Sequence, residues 1–187
     1  MAQRDPLKLR RAGTGAIDAE AVARLHADSW RRHYRGAYSD AFLDGDVEAD
    51  RRSAWSERLA DTNARCSTIL AEDDRALIGF VHVVFDADPG WGALIDNLHV
   101  AAARQRGGVG TTLMAAAAAA VIERPGSGGL YLWVLEQNVA AQGFYSARGG
   151  RPAERLPVDA PGGIAERLNG SPLKLRYAWP EPAVLLD

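Results

Sequence analysis

Three segments of different character follow one another between Asn97 and Arg124, and they constrain the fold more than any other part of the chain. The first resembles a strand, the second (QRGGVGTT) holds three glycines within four residues, and the third is an alanine-rich helical segment. Glycine lets a ligand approach the backbone closely, and a helix N-terminus offers free N–H groups and the positive end of a dipole. The segment therefore predicts a site for a phosphate or pyrophosphate.

Two common phosphate-binding motifs do not fit this segment. The loop that binds nucleoside triphosphates requires a lysine directly before its serine or threonine, but Gly110 precedes Thr111. The three glycines also lack the spacing of the dinucleotide fingerprint, Gly-x-Gly-x-x-Gly. A third pattern does fit: Gln105, two residues, Gly108, one residue and a further glycine. This pattern resembles the pyrophosphate loop of the GCN5-related N-acetyltransferase (GNAT) superfamily, which binds acyl-coenzyme A.

A second stretch, downstream of the loop, agrees with this resemblance. Asn138, Ala141, Phe144 and Tyr145 match the family pattern N-x-x-A-x-x-F-Y. The resemblance covers nearly the whole chain, is most specific over residues 94–149 and is weak after residue 151. It implies an α/β (α+β) GNAT fold, with a central mixed sheet of about six to seven strands and helices on both faces. In that fold the fourth and fifth strands splay apart to form the cofactor cleft.

The elements predicted along the chain agree with such a fold. Apolar residues recur at helical spacing over residues 17–36, where Asp18 is the predicted N-cap and Ile17 and Val22 the predicted hydrophobic staple. Further helices are predicted at 47–59, preceded by a short one, and at 111–123 and 138–148. Strands are predicted at 8–11, 66–71, 76–85, 91–100, 130–135, 151–158 and 173–179. The order predicts an antiparallel hairpin, a βαβ crossover and a single domain over residues 1–187.

Composition limits the classes of partner. The 187 residues carry a formal net charge of −2, whereas a general nucleic-acid binder usually has a basic excess, so no nucleic acid is expected. The longest apolar run, residues 113–122, is about half the length of a membrane span, so no membrane is expected either. The charged N-terminal segment lacks the apolar core of a secretion signal, and a single cysteine fits a reducing cytoplasm.

The resemblance assigns three groups of residues to acetyl-CoA, with CoA as the product. The strand backbone at Leu98, His99 and Val100 is expected to pair with the pantetheine arm. The pyrophosphate is expected to lie on Gln105, Arg106, Gly107, Gly108, Val109, Gly110 and Thr111. The second motif contributes Asn138, Ala141, Phe144 and Tyr145, and Asn138 is also a suitable N-cap for its own helix. No metal is expected, because the histidines and Cys66 are scattered along the sequence.

Transfer to an amine also requires groups that move protons. Tyr145 is the predicted acid for the departing thiolate, because a phenol with a pKa near 10 can still donate a proton. The alternative interpretation is that Phe144 and Tyr145 are core aromatics. A backbone amide near Leu98 is expected to polarise the carbonyl oxygen of the thioester.

Two side chains are candidate bases for the amine proton, with water as the alternative. Asp96 lies where some family members carry a base, and His99 has an ordinary pKa that suits the task better. Strand alternation predicts that Asp96 shares a face with Leu98 and Val100, whereas His99 points the other way. For each, a purely structural role is an open alternative.

The acceptor is expected to be an amine of a small molecule or peptide that attacks directly in a ternary complex. Trp30, Tyr34 and Tyr38 are the candidate acceptor wall, with helix packing as the alternative. Three nearby arginines are candidates for contact with an anionic substrate or with the phosphates of the cofactor, and a solvated basic face is the alternative: Arg31, Arg32 and Arg35. The rival to an enzyme is a non-catalytic CoA-binding sensor or interaction module. A homodimer is the common assembly for such domains.

Overall fold

A computed structural model of the protein describes residues 7–74, 76–126 and 128–187. The N-terminal segment on which the expectation of no secretion signal depends begins outside the described residues. Within those ranges, no helix combines the length and apolar character needed to cross a membrane. The same ranges contain no group of three or more histidine, cysteine or acidic side chains placed to hold a metal ion.

In the part of the chain that the structure describes, seven strands form one mixed sheet, at the upper end of the predicted number. Their bounds are β1 (Lys8–Arg11), β2 (Cys66–Asp73), β3 (Ala76–Asp88), β4 (Gly92–Val100), β5 (Leu130–Leu135), β6 (Arg151–Pro157) and β7 (Leu173–Trp179). The spatial order is β1-β2-β3-β4-β5-β7-β6. The pair β2–β3 is the predicted antiparallel hairpin, and β4 pairs with β5 in parallel, as a βαβ crossover requires.

Helices cover both faces of the sheet, as predicted. They are α1 (Ala16–His33), α2 (Asp40–Asp44), α3 (Val47–Ala60), α4 (Val109–Ile122) and α5 (Val139–Ala147). On one face, α1 and α3 bury Val22 and Trp55 against Leu70 of β2 and Phe80 of β3. On the other face, Leu113 and its neighbours on α4 enter the main core together with residues of β3, β4 and β5. The alanine-rich character of α4 allows this close packing because alanine adds little bulk.

The predicted start of the first helix is wrong. Gly15 is the N-cap of α1, and Asp18 lies inside the first turn. Its carboxylate accepts hydrogen bonds from both Arg10 Nη atoms at 2.7 Å and from the Gly13 amide at 2.6 Å, which lowers the pKa of Asp18. Ile17 is 86% exposed and therefore forms no staple with Val22. Asp18 is held by an ion pair with Arg10 of β1 and not by a capping interaction. No local sequence pattern reveals such a pair.

The pair β4–β5 comes apart partway along its length. The parallel pairing joins Ala93–Ile95 to Leu130–Leu132 and does not continue to the ends of the two strands. The register between β3 and β4 also shifts, because His82 lies opposite Asn97 and Val83 lies opposite Ile95. Asp96 is the extra residue of a β-bulge, a feature that bends a strand and increases its local twist. The bulge lies where β4 leaves β5, and the splayed pair implied by the resemblance is present.

Candidate active site

A cavity of about 450 Å³ opens between the diverging ends of β4 and β5. Its walls come from α1 on one face of the sheet and from α4 and α5 on the other, so the cavity passes through the sheet. Most of the residues predicted for the site meet here. They are Tyr34, Asp96, Leu98, His99, Val100, Gln105, Arg106, Gly108, Gly110, Thr111, Asn138, Ala141, Phe144 and Tyr145.

The glycine loop closes one end of the cavity with uncovered backbone. Gly108 has φ +85° and is the N-cap of α4, without a side-chain cap. A Cβ atom built there would meet nothing within 4 Å, so the left-handed backbone, and not packing, favours glycine at this position. The first N–H groups of α4 therefore remain available to an anion, together with the positive end of the helix dipole.

The other loop positions serve different purposes. A Cβ atom at Gly110 would lie 3.4 Å from Cζ of Phe144, at the edge of ordinary van der Waals contact, so Gly110 lies where α4 meets α5. The side chain of Val109 is buried in the main core. Neither Gly107 nor Val109 lies at the cavity wall, in contrast to the other predicted loop residues.

Asn138 begins α5 and lies at the cavity wall. Its Oδ1 accepts a hydrogen bond from the Ala141 amide at 3.2 Å, which confirms the predicted N-cap. Because the cap uses the carbonyl oxygen, the NH₂ group of the same side chain is the part that can donate to a ligand.

Tyr145 is both a core aromatic and a cavity residue, so the two interpretations of this position are compatible. It is 9% exposed and belongs to the main core, with its ring centroid 5.8 Å from that of Tyr177. Burial raises the pKa of Tyr145 well above its usual value. A phenol with a raised pKa stays protonated at neutral pH, so Tyr145 offers a proton and is not a phenolate base.

His99 lies deep in the cavity wall, on the α1 side of the sheet. Its Nδ1 is 2.8 Å from Oγ of Ser29 in α1, and its ring centroid is 4.4 Å from that of His26. Burial lowers the pKa of His99 to about 3. The reason for preferring His99 as the base, an ordinary histidine pKa, therefore does not hold in the folded protein.

Asp96 does not share a face with Leu98 and Val100, and that prediction is wrong. Leu98 and Val100 pack against the main core on the α4 side. The Asp96 carboxylate points toward α3, where its Oδ2 accepts hydrogen bonds from Arg58 Nη1 and Asn97 Nδ2, both at 2.7 Å. Simple alternation fails here because the bulge inserts one residue and reverses the phase of the strand.

Only one of the three aromatic residues proposed for the acceptor wall lines the cavity. That residue is Tyr34, and burial raises its pKa to about 12. Trp30 and Tyr38 are each 7% exposed and pack with Phe42 in a separate core cluster, as the alternative interpretation held. The nearby arginines bond within the chain: Arg31 to the Leu43 carbonyl, Arg32 to Asp28, and Arg35 to Asp40 and Asp44.

The structure adds lining residues that the sequence did not indicate. Ser29 lies in α1, and its hydroxyl faces β4, where Oγ is 2.8 Å from Nδ1 of His99. His33 ends the same helix, with its Nε2 3.4 Å from Nε2 of Gln105. Trp133 lies in β5 beyond the end of its pairing with β4. Alternation within LYLWVL separates Trp133 from the core-facing Leu132 and Val134, which is a signal that could have identified it.

Comparison with known proteins identifies the family. The model of the acetyltransferase (GNAT) family matches residues 25–149, which is more than half of the chain. The uncharacterized N-acetyltransferase YuaI of Bacillus subtilis is 25% identical over 133 residues, covering 70% of this chain and 73% of that protein.

Solved structures share the architecture. The PaiA N-acetyltransferase from Thermoplasma acidophilum, in complex with coenzyme A, has a TM-score of 0.69 and 19% identity, covering 93% of this chain and 99% of its own. A mutant of the spermidine N-acetyltransferase SpeG from Vibrio cholerae has a TM-score of 0.66 and 18% identity, covering 96% of each chain. At these identities the likeness establishes the GNAT fold, and the family match, which spans the loop and the second motif, establishes that the chain belongs to the GNAT acetyltransferase family.

Proposed function

We propose that the protein is an acyl-CoA-dependent N-acyltransferase that moves acetyl from acetyl-CoA to an amine of a small molecule or peptide. The observation that carries this proposal is the passage of the cavity through the sheet. Residues of α4 and α5 line one end and residues of α1 line the other, so two substrates can approach each other from opposite faces. This arrangement supports direct attack of the amine in a ternary complex, without an acyl-enzyme.

The chain offers groups that fit acetyl-CoA on the α4 side. The uncovered amides at the start of α4, with the side chains of Gln105 and Arg106, suit a pyrophosphate. The last residues of β4 do not pair with β5, so their backbone can bond the pantetheine arm, although the Val100 carbonyl already accepts a hydrogen bond from Gln105 Nε2 at 3.3 Å. Bound acetyl-CoA supplies a thioester, whose acyl group is activated toward an amine.

The roles of the side chains follow from their protonation. Tyr145 holds a proton at neutral pH and gives it to the departing thiolate. A backbone amide near Leu98 donates to the carbonyl oxygen as negative charge develops there. Arg58 engages the Asp96 carboxylate, and His99 is a weak base, so we assign the final acceptance of the amine proton to water.

Calorimetry with acetyl-CoA, CoA and ATP tests the class of ligand. We expect binding of acetyl-CoA and CoA, while preferential binding of ATP would reject the assignment. A thiol-release screen over a panel of amines then tests for transfer. CoA binding without thiol release for any amine would favour the alternative of a non-catalytic CoA-binding module.

Replacement of Tyr145 by phenylalanine tests the acid directly. Loss of a general acid lowers kcat by about 100-fold or more, while the affinity for acetyl-CoA should stay near normal. Tyr177→Phe is the matched control, because Tyr177 is also a buried phenol in the same core but does not line the cavity. Equal kcat values for Tyr145→Phe and Tyr177→Phe would remove Tyr145 as the acid.

A further inference from the structure

One arginine at the wall of the cavity is not engaged by the rest of the described chain. Arg148 is the C-cap residue of α5, is half-buried and lines the cavity. Its Nε atom is buried and meets no hydrogen-bond acceptor among the described residues. A buried donor without an acceptor is unfavourable and rare, so the presence of this one needs an explanation.

The usual structural roles of an arginine do not account for Arg148. An arginine at the C-terminus of a helix can donate to the last carbonyl groups of that helix, but the Arg148 side chain makes no such bond in this structure. In the part of the chain that the structure describes, no carboxylate lies within ion-pair distance of it. By contrast, Arg155 pairs with Glu136 and Arg176 with Glu154.

Arg148 lies near the glycine loop. It is one helical turn from Phe144, and its Cζ lies 5.7 Å from the centroid of the Phe144 ring. The same ring lies against the start of α4, where a Cβ atom at Gly110 would be 3.4 Å from Cζ of Phe144. Among the described residues that line the cavity, Arg106 and Arg148 are the only arginines, and none is a lysine. The cavity therefore has one cationic side chain on the loop and a second beside α5.

Coenzyme A carries its phosphates in two separate places. A diphosphate joins the pantetheine arm to the adenosine, and a phosphate monoester is attached to the 3′ oxygen of the ribose. The uncovered amides of α4 and the side chain of Arg106 suit the diphosphate. A phosphate monoester has a charge of about −1.5 to −2 at neutral pH and three oxygen atoms that accept hydrogen bonds. A planar guanidinium can bind such a group through two parallel hydrogen bonds.

We propose that Arg148 binds the 3′-phosphate of acyl-CoA, separately from the diphosphate on the glycine loop. This inference rests on the proposed function, because it assigns a further part of the same cofactor. The phosphate oxygen atoms give the guanidinium the acceptors that the described chain does not supply. Arg148 thus selects CoA over its 3′-dephospho form and takes no part in the transfer of the acyl group.

Calorimetry with CoA and 3′-dephospho-CoA tests the assignment. Arg148→Met removes the charge and keeps a long side chain. We expect it to weaken the binding of CoA about tenfold, since a hydrogen-bonded charged pair is lost, and to leave the affinity for 3′-dephospho-CoA unchanged. Arg148→Lys, which keeps the charge, should recover part of the loss. Arg151→Met is the matched control, because Arg151 is a nearby exposed arginine that does not line the cavity.

The unmodified protein provides a test that requires no variant. It should bind CoA about tenfold more tightly than 3′-dephospho-CoA, and equal affinities would overturn the proposal. An equal loss of affinity for both ligands in Arg148→Met would also overturn it, since Arg148 would then act on the diphosphate or on packing. CoA affinity in Arg148→Met equal to that in Arg151→Met would do the same. Failure of the unmodified protein to bind either ligand would instead reject the proposed function.

Discussion

Lowering the pH from 7.5 to 5.0 should reduce the free energy of unfolding by about 4 kcal/mol, through two buried histidines. Burial lowers the pKa of His82 to about 4 and that of His99 to about 3. The pKa of histidine in an unfolded chain is near 6.5. Below that value the unfolded chain binds protons that the folded protein does not, so acid favours unfolding. This contribution to stability is complete above about pH 6.5 and is lost as the pH falls toward the folded pKa values.

The magnitude follows from the protonation of the two states. At pH 5.0 an unfolded histidine is almost fully protonated, whereas His82 and His99 in the folded protein remain almost fully neutral. Each therefore contributes about 2 kcal/mol to the difference. His26, whose pKa burial also lowers well below its usual value, adds to it. Carboxylates contribute little in this window, because they are mostly ionised at pH 5.0 in both states.

Urea denaturation at the two pH values measures the difference. Tryptophan fluorescence is a suitable probe, because Trp55 and Trp179 are fully buried. The variant His82→Gln removes one of the titrating groups, and this group lies outside the cavity. Its free energy of unfolding should therefore fall by about 2 kcal/mol less between pH 7.5 and 5.0. Each protein is compared with itself at the two pH values, so any change in packing that the substitution causes cancels. A loss below about 1 kcal/mol in the unmodified protein would refute the reasoning, since it would mean that the buried histidines accept protons at little cost.

Two further predictions concern the walls of the cavity. Gly108→Ala should destabilise the protein by about 1 kcal/mol and also weaken CoA binding, because the backbone is left-handed and the new methyl group points into open space at the loop. Gly170→Ala, at φ +68° with open space around it, is the control and should show the same loss of stability in thermal unfolding without any change in CoA affinity. Equal CoA affinities of Gly108→Ala and Gly170→Ala would exclude the loop as the phosphate site. Asn138→Ala should cost about 1 kcal/mol of stability through the lost N-cap, whereas Asn138→Asp should keep the cap. Both variants should bind CoA more weakly in calorimetry, and normal affinity in Asn138→Asp would rule out the amide as a donor to the ligand.

Local patterns were sufficient to predict most of the fold. The segments of β2, β3, β4 and β5 are largely apolar, and the alanine-rich helix and the Asn138 cap have clear signals of their own. The start of α1 was mispredicted because Asp18 resembles an N-cap in sequence, while its actual partner, Arg10, comes from a neighbouring strand. Capping rules describe local hydrogen bonding and contain no information about such a tertiary ion pair.

The residues of the site were predictable where the chemistry of binding requires a particular residue type. They were less predictable where the direction of a side chain decides whether it reaches the cavity. The loop glycines and Asn138 match a family motif in type and spacing, and three of these residues line the cavity: Gly108, Gly110 and Asn138. Trp30 and Tyr38 were misassigned to its wall because aromatic residues on a helix can face either a ligand or the core. The side of β4 on which Asp96 lies depends on a single inserted residue, and period-two alternation cannot anticipate such an insertion.

That inserted residue divides β4 into two parts, whose side chains alternate in opposite phase. Up to Ile95 the strand is hydrogen-bonded to both β3 and β5. From Asn97 onward the side chains alternate in the opposite phase, and the edge toward β5 has no pairing with it. The position of the bulge therefore sets how deep into the sheet the cleft reaches. Moving the bulge by one residue would shift the point of separation by about 3.3 Å and change the face of the residue that it passes, while the other residues of β4 keep their faces. The place where β4 separates from β5 can thus move along the sheet through the relocation of one amino acid.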